Sequence, residues 1–215
     1  MANRLVSWWL AGIALLVVMS VADAGGWWTI TIRDLPEHVV AGKRFQLTFM
    51  ARQHGVSPLE DLQQEVVAVN GGDSTRGKAV PTRKAGEYTV SLALPHPGRW
   101  TIKFNDLALP EVVAIIPGSP TPSPLSTSEV GARLFVSKGC ITCHANRDVR
   151  PDSDGGVGPD LTGKRFDEAY LQRFLANPQK ARGRTAEPEY GEMPNLDLTT
   201  REIASLVAFM NQPRR

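Results

Sequence analysis

The chain is poor in the residues that staple or charge a protein. It has only two cysteines and four histidines among 215 residues, so neither a disulfide framework nor a cysteine-rich metal cluster can organise it. Neither sign of charge forms a long run, and 24 basic against 22 acidic side chains leave a formal charge of +2. That balance offers no basic face large enough to neutralise several phosphates, which argues against nucleic acid as a partner. Beyond the N-terminus no apolar segment is long enough to span a bilayer. What remains, 42% apolar and 21% charged residues, is the make-up of a soluble globular protein.

The N-terminus is the exception. Arg4 precedes an apolar run from Trp8 to Val21 that ends in Ala22-Asp23-Ala24, the small-x-small pattern that a signal peptidase cuts. This predicts a signal peptide over residues 1–24, with Gly25 as the first mature residue. The mature chain is then expected outside the cytoplasm, in the periplasm or on the outer face of the cytoplasmic membrane. An uncleaved anchor is the alternative, because Leu5 to Ala22 approaches the roughly 20 apolar residues of a spanning helix. Membrane association through the N-terminus therefore stays open.

Residues 117–128, PGSPTPSPLSTS, hold four prolines and no charge. Such a stretch cannot bury a core and favours extended backbone, so it reads as a semi-rigid linker between two folded units. It permits the units either to touch or to stand apart.

The two units have different periods. In residues 25–116 apolar side chains alternate: Trp28, Ile30 and Ile32; Phe45, Leu47 and Phe49; Tyr88, Val90, Leu92 and Leu94; Trp100, Ile102 and Phe104. With Glu65 to Asn70 and Glu111 to Ile116, and with turn residues between the runs, this predicts six or seven short strands in an antiparallel, all-β sandwich. Residues 129–215 have a helical period instead. Helices are expected over Glu129 to Ser137, with Val130, Leu134 and Phe135 inward, and over Phe166 to Ala176, with Tyr170, Phe174 and Leu175 inward. A last one opens on Thr199 and Glu202 at the spacing of a capping box and buries Ile203, Leu206, Val207 and Met210. The loops between these helices are long for so small a unit, which calls for something packed inside them.

Cys140-Ile141-Thr142-Cys143-His144 names that something. Two thiols one helical turn apart can each add to a vinyl group of one haem, and the histidine that follows is held beneath the iron as its proximal ligand. A redox C-x-x-C would need a strand before it in a βαβ setting, and a zinc site would need a further cysteine or histidine. Neither is present, since His144 is the only histidine after the linker. One covalent haem c is therefore expected. The second axial ligand must come from Met193 or Met210. Met210 falls on the apolar face of the last helix, a usual place for core methionine. Met193 precedes Pro194, whose ring confines it to extended backbone that can present the sulfur inward, and it is preferred.

Residues 125–215 thus resemble the class I, mono-haem cytochrome c domains. The likeness rests on Gly131-x-x-x-Phe135, the C-x-x-C-H, Gly158-Pro159-Asp160-Leu161, Met193-Pro194 and the apolar terminal helix. It implies that the carbonyl of Pro159 accepts a hydrogen bond from the second nitrogen of His144, and that Gly131 and Phe135 join the first helix to the last. Two features depart from a compact member: the polar insert Asn146 to Gly156, and the basic cluster Lys180, Arg182 and Arg184. Residues 25–116 resemble, by pattern, the secreted immunoglobulin-like sandwiches of the YtkA-like type. Together the resemblances imply an exported electron carrier rather than an enzyme, exchanging single electrons with redox protein partners or a membrane-bound respiratory complex. Two alternatives stay open: a haem subunit or gas sensor with a displaceable distal ligand, and a copper-handling protein using His38, His54, His96 and Met50, although no pair of these shows a ligand spacing.

Overall fold

A computed structural model of the chain describes residues 27–153, 156–183 and 192–213. The expected signal peptide, Gly25, Arg184 and two residues of the polar insert lie outside them.

The first unit holds strands β1 (Trp28–Ile32), β2 (His38–Val40), β3 (Arg44–Gln53), β4 (Ser57–Pro58), β5 (Glu65–Asn70), β6 (Asp73–Lys78), β7 (Val80–Pro81), β8 (Glu87–Ala93), β9 (Gly98–Phe104), β10 (Leu107–Ala108) and β11 (Val112–Ile115). They form two sheets. One runs β1-β3-β8-β7 with β4 paired to β3, the other β2-β11-β9-β5-β6 with β10 paired to β9. The alternating side chains meet between them: Ile32, Leu47, Phe49, Tyr88, Val90, Trp100, Ile102 and Phe104 are each at most 2% exposed. Phe49 stacks on Tyr88 and meets Phe104 edge-on, and the Tyr88 hydroxyl donates to Leu59 O at 2.9 Å.

Three points differ from the sequence expectation. The pairing is not wholly antiparallel, because β2 lies parallel to β11. β6 has no apolar alternation to announce it; it is a mostly exposed strand held by its ladder to β5. β4, β7 and β10 are two-residue pairings too short to leave a periodic signal.

The second unit is helical: α1 (Thr127–Ser137), α2 (Cys140–Cys143), α3 (Glu168–Ala176), α4 (Pro178–Ala181) and α5 (Thr200–Met210). α1 starts inside the segment read as linker. Ser126 caps it, and with Glu129 forms a reciprocal capping box like that of Thr199 and Glu202 on α5. α1 and α5 cross at Gly131, where a β-carbon would fall far inside contact with Ser205 O. Phe135 packs on Phe209 beside this crossing, ring centroids 5.8 Å apart.

The inward faces need correction. α3 buries Leu171 and Leu175, while Tyr170 is 44% exposed. Asp167 accepts from Tyr170 N at 2.7 Å and fixes where the helix begins, which turns the Leu171–Leu175 stripe to the core. Tyr170 instead stacks on Phe174, and the Arg182 guanidinium lies over the Phe174 ring, 5.3 Å from its centroid. Val130 and Leu134 of α1 are only partly buried and line a groove shared with the sandwich. Met210 is likewise half-buried, with Phe209 taking the deeper place.

The two units touch. Arg133 donates to Glu111 O at 2.6 Å and to Pro36 O at 3.0 Å. Lys138, with 7% of its side chain exposed, forms an ion pair with Glu202 at 2.6 Å and donates to Arg33 O at 2.7 Å.

Candidate functional site

α2 is a single turn set between two constraints. Its N-cap is Gly139 at φ +80°, a left-handed conformation that a side chain resists, so the chain turns sharply out of α1 and into Cys140. Its C-cap is His144, already extended. The turn places Cys140, Cys143 and His144 on one wall of a crevice of about 110 Å³ that opens to solvent. Met193 and Pro194 lie on the crevice lining as well. Met210 does not; it packs with the helical core and borders a different cavity.

The thiols are free and half-buried. Burial, reinforced by the neighbouring Cys143, pushes the Cys140 thiol up to about 12, and burial raises Cys143 too. A redox-active C-x-x-C does the opposite, since it works by lowering a thiol until it ionises near neutral pH. This pair stays protonated, which suits thiols whose end state is a thioether rather than a disulfide.

His144 Nδ1 is 2.9 Å from Pro159 O. A carbonyl only accepts, so Nδ1 carries the proton and Nε2 keeps its lone pair. Burial lowers the imidazole's pKa, and the Pro159 bond opposes that only in part, so the ring is neutral as a ligand must be. Gly158 leaves the ring its place, because a β-carbon there would stand 2.5 Å from Nδ1. The turn that presents Pro159 is held by Asp160, whose carboxylate accepts from Thr162 N at 2.8 Å and from Arg147 at 2.6 Å. Bonds from Thr162 first, then Arg147, hold that carboxyl down at about 2.

Gln179, itself buried, donates to Met193 O at 2.8 Å. Of the basic cluster, Arg182 lines the crevice while Lys180 is exposed beside it. The residues present fit a haem: two thiols, a neutral oriented imidazole and a thioether share one partly apolar cleft. Copper finds less. Among the described residues no three His, Cys, Asp or Glu side chains are grouped as for a metal ion. His38 stands in β2, His54 meets Trp27, and His96 bonds Asp73 at 2.9 Å.

Sequence reasoning missed Gln179, Gly139, Lys138 and Thr29. A Lys-Gly pair directly before the first cysteine is a legible stop for α1. Nothing in the sequence marks Thr29, a residue of the sandwich, as lining this crevice.

Comparison with known proteins agrees with the site. Residues 128–213 match the family model of cytochrome c. The C-terminal domain therefore belongs to the cytochrome c family. Its cofactor is haem c, covalently attached, and its role is haem-based electron transfer. No curated protein matches the chain. Among solved structures, a superoxide reductase (neelaredoxin) variant from Ignicoccus hospitalis is 22% identical over 41% of this chain and 77% of its own, with a TM-score of 0.22. So low a score supports no shared fold.

Proposed function

We propose that the protein is an exported one-electron carrier whose haem is held by His144 and Met193 as axial ligands. The observation that carries this reading is the crevice itself, which has Cys140, Cys143 and His144 on one wall and Met193 on its lining. When bound, the haem supplies a one-electron couple between ferrous and ferric iron. The chain's residues decide what else can happen. Thioether bonds through Cys140 and Cys143 keep the group from leaving, and the Pro159 carbonyl fixes the tautomer and plane of His144. As the second ligand, the Met193 sulfur would leave the iron no vacant position, which would deny it to substrate or dioxygen and raise the potential relative to histidine alone. A closed, high-potential site suits exchange with redox protein partners or a membrane-bound respiratory complex and does not suit catalysis. The A-x-A pattern of residues 22–24 supports a periplasmic or outer-face location, with the N-terminal segment as a membrane tether where it is not cut.

Carbon monoxide tests the reading. The reduced, haem-loaded protein is expected to keep its visible spectrum under carbon monoxide, whereas Met193→Ala is expected to bind it at once and to have a lower potential, with haem still attached. Prompt binding by the unaltered protein, or an unaltered spectrum in Met193→Ala, refutes the ligation.

A further inference from the structure

β1 is the edge strand of its sheet, and the outward side of such a strand ordinarily meets water. Ile30 and Ile32 point into the core, which leaves Thr29 and Thr31 facing away from it. Yet these two threonines are only 6% and 8% exposed. The haem domain covers them. Thr31 Oγ1 is 3.4 Å from Lys138 O, and a β-carbon on Gly139 would stand 2.6 Å from Ile30 O. The strand and the residue before Cys140 thus meet backbone to backbone.

The same face reaches the other wall. Thr29 is paired across the sheet with Arg52 of β3. Burial lowers the Arg52 guanidinium, and the Asp197 carboxylate of the haem domain acts against that shift. Just past the end of β3, a β-carbon on Gly55 would lie 3.7 Å from Pro194 Cγ. One side of the β1–β3 pair therefore bears on the residue before Cys140 and on the residue after Met193, and Thr29 lines the crevice between them.

We propose that the outer face of β1–β3 is a clamp on the haem crevice, holding residues 192–198 against the wall that carries Cys140, Cys143 and His144. Residues 193–198 have no helix or strand of their own, and irregular backbone opens readily unless something packs on it. The sandwich supplies that packing through Thr29, Arg52 and Gly55. It is a positioning element of the haem site and not only a second domain. That the clamp also keeps a ligand on the iron rests on the His144/Met193 reading; that it holds the segment does not.

Thr31→Trp drives bulk into the middle of the seam, and Arg133→Ala removes its two hydrogen bonds to the sandwich; neither residue lines the crevice. In the haem-loaded full chain each is expected to speed amide exchange across residues 192–198 by about fivefold or more. Covalent haem content is expected to stay as in the parent, and carbon monoxide to reach the ferrous iron sooner. Unchanged exchange over 192–198 in both variants overturns the clamp. Should the parent itself take up carbon monoxide at once, the ligation fails, and the exchange rates still decide the clamp.

Discussion

At the scale of single residues, the haem-attaching pentapeptide is legible because its chemistry is local. Two thiols and an imidazole within five residues need no tertiary information to be recognised. The Pro159 bond is different: 15 residues of sequence separate it from His144, and only the family resemblance suggested it. Gly158 was legible as part of the same motif, but its reason is steric. Gly158→Ala is expected to push the imidazole out of its plane while leaving the thioethers intact. Residues that orient a ligating histidine typically contribute 10- to 100-fold to its hold on a metal. An acid titration of the oxidised protein is expected to show His144 released at a higher pH than in the parent.

At the scale of elements, period and capping did most of the work where both were present. α5 was readable from Thr199 and Glu202 together with its apolar stripe. α1 carries the same capping box, yet Ser126 reads as linker because it stands two residues after Pro124 and shares that stretch's composition. The aromatic pair of α3 misled for a related reason. Tyr170 and Phe174 look like core by residue type, but they find each other and Arg182 at the surface. What fixes the helical unit is the α1–α5 crossing. Gly131→Ala places a methyl against the backbone of α5, where nothing flexible can yield, and overpacking of this kind costs about 1–3 kcal/mol. A urea titration of the holoprotein is expected to show the midpoint falling accordingly, with the slope unchanged.

At the scale of the whole molecule, the sequence was silent where the structure is most specific. A linker rich in proline and serine allowed docked and separate domains equally, and the buried seam is made of a lysine, two threonines and a glycine, residues usually read as surface or turn. Lys138 bridges the units there, donating to Arg33 O of the sandwich while it is held by Glu202 of its own unit. Burial alone would raise the Glu202 carboxyl, but bonds from Lys138 and Thr199 outweigh it and leave the group below its ordinary value. A carboxyl lowered on folding contributes stability that is present above its unfolded pKa and is lost as pH falls through the folded one. The seam is therefore expected to hold at neutral pH and to weaken only on acidification past the usual carboxylate range. Protease cleavage within residues 117–128 would report it, and Glu202→Gln would show faster cleavage already at neutral pH.

The docking of Gly139 against Ile30 also touches the problem that every open sheet poses to a cell. β1 ends its sheet, and a bare final strand invites a strand from another molecule to continue the ladder. Here a neighbouring domain of the same chain lies over that strand. The haem unit thus shields its companion from strand addition between chains, a protection that depends on the helices being folded and in place.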